Sequence, residues 1–371
     1  MERKDRVKLI RRLEEIRGSR VLVYITSTRT NIEVPMAMDV IPVIYKHLQQ
    51  LGASRVDTID LVLHSNGGEG VVPWRLVTLI REYCNHFNVL VPNRAFSAAT
   101  LTALGADTVV MHPMGMLGPT DPTVSNAFNP VNERNPVGPP LGISVEDVTS
   151  YFALIKEDIG ITHEDELVQA VTALTDKIHP LALGNVKRST AQSRMLGEKL
   201  LLSRGREDLS PHDIEQIINK LTSQLYYHGH PINRQEARED VGLSFVKDTT
   251  PEEEIALWQL FQAYCADMRL EELYDPTIEA LQIHGQPITT PSAQVQVQGS
   301  NVAFMGVPVS VDVPLPTIRA VYVETTPRVD IYEQDFEIAI VRRPDSSYQF
   351  NQLVRRSAWT SEPEEPAAWP T

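Results

Sequence analysis

Residues 93–107 read NRAFSAATLTALGAD, with one serine, Ser97, where an apolar segment stops and a run of small residues begins. A hydroxyl in that place does one of two things. It caps a helix, accepting from the orphan N–H groups of the first turn. Or it is a nucleophile, held where backbone donors and partial positive charge favour an alkoxide. Thirty positions earlier, LVLHSNGGEG carries Gly67 and Gly68 at the end of another apolar run. Paired glycines there make an ordinary strand–helix turn, or they let backbone N–H groups come close to an anion. Serine and glycines together would suit acyl transfer, which needs a nucleophile and an oxyanion hole about 3 Å from one carbonyl.

The elements between them decide whether they meet. RVLVYIT (20–26), IDLVLHS (59–65), FNVLVP (87–92) and DTVVMHP (107–113) read as buried strands. Helical spacing separates them: Val40, Ile41, Ile44, Tyr45, Leu48 and Leu51 first, then Val72, Leu76, Leu79, Ile80, Tyr83 and Phe87, then the segment after Ser97. Strands apolar on both faces, alternating with helices, predict a mostly parallel sheet in a layered α/β fold. The ends of successive parallel strands lie side by side, so the 67–68 turn and Ser97 are expected to flank one pocket.

Residues 118–143 break the alternation. Six prolines within 22 residues, Pro119 to Pro140, forbid regular structure and predict a lid or groove loop. SVED (144–147) is a capping-box pattern opening an amphipathic helix to about Ile159. Helical patterns continue over 164–178, 180–204, 210–227, 234–241 and 251–272. From about 290 short alternating strands take over, and SEPEEPAAWPT (361–371) has the composition of a disordered tail. The expected organisation is an N-terminal helix (1–18), a main domain (19–245), a helical extension (246–289), a small β appendage (290–357) and a tail (358–371).

Composition narrows the function classes. Thirty-four basic against 48 acidic residues, a net charge of −14, argue against nucleic acid and anionic membranes as partners. Two cysteines, Cys84 and Cys265, provide no disulfide framework and no zinc ribbon, which fits a reducing compartment. MERKDRVKLIRRLEEIRGSR lacks the apolar core of a signal peptide, and no window holds ~18 consecutive apolar residues. A soluble cytoplasmic protein without an integral membrane segment is expected.

HSNGGEG (64–70), AFSAATLTALGADTVVMHPMGMLGPTDP (95–122) and YYHGHPINRQEAREDVGL (226–243) resemble the Clp/crotonase superfamily. Within it they are most similar to the serine dehydrogenase proteinase family, relatives of signal peptide peptidase A. The resemblance covers roughly residues 20–245. It implies a ClpP/crotonase-like α/β fold and a serine peptidase acting on polypeptides without cofactor or metal. It also implies a homo-oligomer with shielded sites. Ser97 would be the nucleophile, and Gly68 and Ala98 the amide donors of an oxyanion hole that Gly67 helps to form. The chain departs from the pattern twice. It lacks the N-terminal membrane segment many members carry, and it has Ser97-Ala98-Ala99 where others have Ser-Gly. Two rivals use the same fold: a crotonase-type acyl-CoA enzyme, which needs no serine at 97, and a catalytically silent scaffold.

The serine needs a proton acceptor. His112 precedes Pro113 at a strand end, several residues before the slot where the Clp peptidase pattern would place a histidine. That slot holds Thr120 and Asp121, so His112 reads as structural. The signal peptide peptidase A pattern uses a lysine, and Lys156, Lys177, Lys187 and Lys199 are the candidates. Lys156 borders the stripe Val145, Val148, Phe152, Ile155, where lost hydration would lower its pKa. It follows the 118–143 loop at a chain distance typical of the resembled dyads, and it is the choice made here. A snorkelling surface lysine is the alternative, and spacing does not separate Lys156 from Lys177 or Lys187. His228 and His230 lack further ligands at metal spacing and read as parts of a turn.

Overall fold

A computed structural model of the chain describes residues 2–52, 55–124, 126–131, 140–225, 229–284, 310–342 and 348–362. The chain opens with α1 (Arg3–Arg17), which buries Arg6, Ile10 and Leu13, and closes it with Gly18 in the left-handed conformation at φ 62°. Then β1 (Arg20–Thr26), α2 (Val40–Gln50), β2 (Val56–His64), α3 (Val72–Arg81) and β3 (Cys84–Val91) alternate as expected. A two-residue β4 (Arg94–Ala95) precedes α4 (Ala98–Leu104) and β5 (Thr108–Met111). β1, β2, β3 and β5 pair in parallel in that order.

The period-two rule explains the layering. Leu22, Tyr24, Ile59, Leu61, Leu63, Val89 and Val109 face one core with the helices α2, α3 and α4. Their neighbours Val21, Val23, Ile25, Val62, Leu90 and Val110 face a second core with α1. The strands are therefore apolar on both faces over most of their length, because both faces are covered.

Beyond β5 come β6 (Met116–Leu117), which pairs with β4, then β7 (Thr123–Val124) and β8 (Ile143–Ser144), which pair with each other. That last ladder ties together the two ends of the proline-rich loop, of which 125 and 132–139 lie outside the described residues. Helices α5 (Val145–Ala153), α6 (Glu164–Thr175), α7 (Pro180–Ser203), α8 (Pro211–Asn219) and the single turn α9 (Arg234–Glu236) follow. Helix α7 packs on the core: a Cβ at Gly105 would lie 2.8 Å from Val77 Cγ1 and 3.0 Å from Leu200 Cδ2.

The structure corrects the expected boundaries after 245. Strand β9 (Val246–Asp248) pairs in parallel with β5, and α10 (Pro251–Met268) covers the second core through Leu257, Leu260, Phe261 and Tyr264. The helical extension is thus a layer of the main domain, followed by α11 (Pro276–His284). The C-terminal β region is present as β10 (Ser310–Pro314), β11 (Ile318–Glu324), β12 (Val329–Arg342) and β13 (Tyr348–Ser361). It continues the central sheet instead of hanging from it, because β11 pairs antiparallel with β1 and gives a nine-stranded sheet. Without β11 the edge of β1 would carry unpaired backbone groups. Ala358–Ser361, expected in a disordered tail, pair with Asp330–Glu333, while 363–371 and the predicted strand at 293–298 lie outside the described residues.

Among the polar side chains that alternation leaves on the second face are Asp60, Glu324 and His64, and each is partnered. Asp60 is fully buried and accepts from Ser19 Oγ (2.6 Å), Asn88 Nδ2 (2.8 Å) and Arg17 of α1. Glu324 accepts from Arg6 Nε at 2.7 Å and from the Tyr264 hydroxyl at 2.8 Å. His64 lies against Phe261, ring centroids 4.7 Å apart. On α2, His47 bridges Thr325 Oγ1 and Asp330 Oδ2, both at 2.9 Å, and so locks the β11–β12 turn onto the core.

Burial disfavours the charged form of both histidines. It pushes His64 down to about 3, with Arg94 adding to the effect, and it holds His47 below the ordinary value despite the Asp330 carboxylate. A depressed folded-state value leaves full stability above the unfolded pKa, about 6.5, and removes it progressively as the pH falls below that. Urea unfolding should give a lower free energy at pH 5.5 than at pH 7.5. His64 alone should contribute about 1.4 kcal/mol, with His47 adding in the same direction. A flat profile over this window would contradict neutral burial of these rings.

Candidate active site

Ser97 sits at the N-cap position of α4, yet its side chain makes no capping bond. Its backbone is at φ 52°, ψ −113°, outside the region favoured by side-chain-bearing residues. Such a conformation costs on the order of 1–3 kcal/mol and persists only where its surroundings over-determine it. Here they do. Phe96 N–H donates to Ser65 O (3.0 Å), Ala99 N–H to Phe96 O (2.9 Å) and Leu101 N–H to Ser97 O (3.0 Å). Thr100 Oγ1 donates to Ala95 O at 2.6 Å and accepts from Gly118 N–H at 3.0 Å, which fixes β6 against the same turn. Residues 98–104 of α4 are all buried, whereas Ser97 is half-buried, and its hydroxyl has no hydrogen-bond partner among the described residues. The capping alternative is therefore corrected. The chain bends so that this oxygen is left unspent.

The glycine turn and the serine abut. A Cβ at Gly67 would lie 2.7 Å from Phe96 O, 2.8 Å from Ser97 Cβ and 3.0 Å from Ala98 N, so no larger residue fits. Gly67 is also at φ 99°, which glycine adopts without penalty. Its own amide donates to Ser65 Oγ at 3.0 Å, and the part of Gly67 that the structure shows is close approach. Gly68 is exposed, and its amide has no backbone partner among the described residues. Ala98, first residue of α4, carries one of the orphan N–H groups of a helix start.

Sequence reasoning missed the element that holds the glycines from the other side. Met36 N–H donates to Gly67 O (2.8 Å) and Glu69 N–H to Met36 O (2.9 Å), and a Cβ at Gly68 would collide with the Met36 backbone. Met36 lies in a loop without periodicity, and its part is played by backbone atoms, so no side-chain signal marks it. Arg94 was missed as well. Its Nη1 donates to Asn66 Oδ1 at 3.2 Å, bracing the residue next to Gly67.

Among the described residues none of the candidate bases makes a hydrogen bond with Ser97. His112 stacks on Trp258, centroids 4.8 Å apart and planes 10° from parallel, and its Nδ1 accepts from Met114 N–H at 3.0 Å. These contacts tie the ring to α10 and to the turn after β5. Lys156 lies on a π-helical turn (Leu154–Asp158) that buries Ile155 but leaves the lysine exposed. The expected desolvation beside Phe152 and Ile155 is thus absent within one chain. Lys177, Lys187 and Lys199 are exposed too, Lys199 over the Trp74 ring at 5.6 Å. Thr120 and Asp121 are buried, with Thr120 fixed by Leu221 O (2.8 Å) and Ser193 Oγ (2.6 Å). His230 contacts Glu236 Oε1 at 2.6 Å; His228 lies outside the described residues. A cleft of about 630 Å³ between α7 and α8, with Lys187 on its rim, does not include Ser97. Among the described residues no group of His, Cys, Asp and Glu has the arrangement of a metal site, and no helix is long and apolar enough to cross a membrane.

Comparison with known proteins adds the following. One uncharacterised protein of Methanocaldococcus jannaschii is 29% identical over 131 residues, which is 32% of this chain and 42% of the relative. A second from the same organism is 24% identical over 267 residues, 69% of this chain and 78% of the relative. Among solved structures, two of the 1510-N membrane-bound stomatin-specific protease are similar, one of them a complex with a substrate peptide. Their TM-scores are 0.31 and 0.34, at 15% and 14% identity, over 56% and 58% of this chain and 72% and 70% of theirs. Residues 1–132, which carry Gly67, Gly68 and Ser97, match the family described as ClpP-like SDH-type serine proteinase, and the resemblance read from HSNGGEG and from the Ser97 block is shown by that match.

Proposed function

We propose that this chain is a serine peptidase that hydrolyses polypeptides through an acyl-enzyme on Ser97. One observation carries the reading: the Ser97 hydroxyl is left unbonded by a strained backbone that is packed against Gly67. Attack by Oγ on a peptide carbonyl develops negative charge on its oxygen. The amides of Gly68 and Ala98 are the donors proposed to receive it, in the manner of preorganised backbone oxyanion holes. Neither hydrolysis step calls for a cofactor or metal.

Lys156 is proposed as the base that takes the Ser97 proton and returns it to the leaving amine. A lysine in water keeps its proton to about pH 10, so this role requires burial. Because Lys156 is exposed in one chain, the proposed homo-oligomer, or closure of the 118–143 loop, must cover it. Exposed Leu154 and Ile159, flanking Lys156, are the apolar surface that such a cover would bury.

Four outcomes are expected. Ser97→Ala should abolish both hydrolysis of a protein substrate and labelling by a fluorophosphonate, with the fold intact; residual cleavage would refute the nucleophile. Gly67→Ala should destabilise the fold by roughly 2–4 kcal/mol and slow labelling, since the added methyl meets Phe96 O and Ser97 Cβ; thermal unfolding and labelling rates read both effects. Lys156→Met should remove turnover while Lys177→Met and Lys187→Met keep it. Wild-type activity should rise with pH through one ionisation, because only the neutral amine accepts a proton.

A further inference from the structure

We propose that Arg94 is a specificity-determining residue that favours polypeptide substrates carrying a carboxylate beside the scissile bond; this rests on the Ser97 peptidase reading. Arg94 lies on β4, three positions before Ser97. Its guanidinium stands over the Phe96 ring at 5.6 Å, and Nη1 holds Asn66 Oδ1 at 3.2 Å. Both contacts are to residues that immediately precede the abutting pair, Phe96 before Ser97 and Asn66 before Gly67. The charge is therefore at the serine–glycine junction.

The electrostatics there are unusual for this molecule. Most other half-buried or buried arginines are met by acids, among them Arg6 by Glu324, Arg17 by Asp60, Arg29 by Glu279 and Arg81 by Asp107, while Arg194 has both its terminal nitrogens bonded to Thr222 Oγ1 and Asn219 Oδ1. Arg94 has no carboxylate within ion-pair distance among the described residues, although acids outnumber bases 48 to 34 in the chain. Its Nε is buried without a hydrogen-bond partner. A desolvated guanidinium edge with open donors is costly unless something completes it, and its fork matches a carboxylate in geometry and charge. The neighbouring groups offer no rival anion. His64 Nδ1 accepts from the Arg94 amide at 3.4 Å, and the ring is kept neutral by burial. A structural brace for Asn66 would need only the one bond, and a neutral donor would serve it equally well.

The test uses N-acetyl fluorogenic peptide amides that differ only in Glu or Gln at each position flanking the cleaved bond. A Gln peptide with a free C-terminal carboxylate distinguishes a chain end from an acidic side chain. For the wild-type protein, kcat/KM for the carboxylate-bearing peptide should exceed that for its neutral isostere by about tenfold, in keeping with a charge-assisted hydrogen bond. Arg94→Gln should erase that ratio and Arg94→Lys should restore part of it. Labelling of Ser97 by a neutral fluorophosphonate reads the serine separately from the Glu-to-Gln ratio, and its protection by Glu over Gln peptides gives the same preference without turnover. Equal rates for Glu and Gln peptides in the wild type, or a preference that survives in Arg94→Gln, would overturn the proposal while labelling upholds the serine. A wild-type protein that neither labels nor hydrolyses would refute the peptidase reading, and this one with it.

Discussion

The contact on which the rest of the site depends is the approach of the Gly67 backbone to Ser97. A side chain at 67 would overlap Phe96 O, Ser97 Cβ and Ala98 N at once, so the two turns meet only because one of them has no Cβ. Everything around them serves to hold that approach. Thr26 Oγ1 donates to Ser65 Oγ at 2.8 Å, and Ser65 in turn takes the Gly67 amide. The Met36 backbone closes the other side, and Thr100 fastens the start of α4 to β4 and β6. The strain at Ser97 is thus distributed over hydrogen bonds from four separate segments. An unbonded hydroxyl in such a place is a preorganised feature.

The sheet beneath the site carries a second constraint. Apolar strands covered on both faces leave little tolerance for polar groups, yet Asp60, His64 and Glu324 lie inside. Each is offset by a partner from a distant part of the chain: Arg17 of α1, Thr28 before α2, Arg6 and Tyr264 from opposite ends of the sequence. Removing one member of such a pair leaves the other buried and unmatched, which is why buried pairs bind segments together more firmly than their net energy suggests. The C-terminal strands and the N-terminal helix are joined to the core in this way, through Arg6 and Glu324.

The chemistry makes a demand that one chain does not meet. The serine is positioned and free, but every lysine weighed as its base is exposed, and His112, after the strand that follows the Ser97 helix, is stacked on Trp258. A lysine that works as a base near neutrality has to be dehydrated. Under the proposed mechanism the shielding therefore comes from assembly or from the 118–143 loop, whose two ends are already drawn together by the β7–β8 ladder. Separating the positioned serine from a covered base would keep a peptidase idle until it is assembled.

What the sequence alone determined was whatever rests on local pattern. Continuous apolar runs marked β1, β2, β3 and β5, the 3.6-residue period marked α2 and α3, and small residues marked the turns at 67–68 and 97, because burial on two faces and close backbone approach each restrict residue type directly. Three things were decided only by tertiary structure. Whether Ser97 caps a helix or stands free depends on a backbone dihedral that many residue types could in principle accompany. Which glycine amide is already bonded depended on Ser65, two residues away and itself held by Thr26 on another strand. And the C-terminal strands, whose alternation reads the same in an appendage as in a sheet extension, were assigned to the central sheet by the unpaired edge of β1, a contact across some 300 residues that no local period encodes.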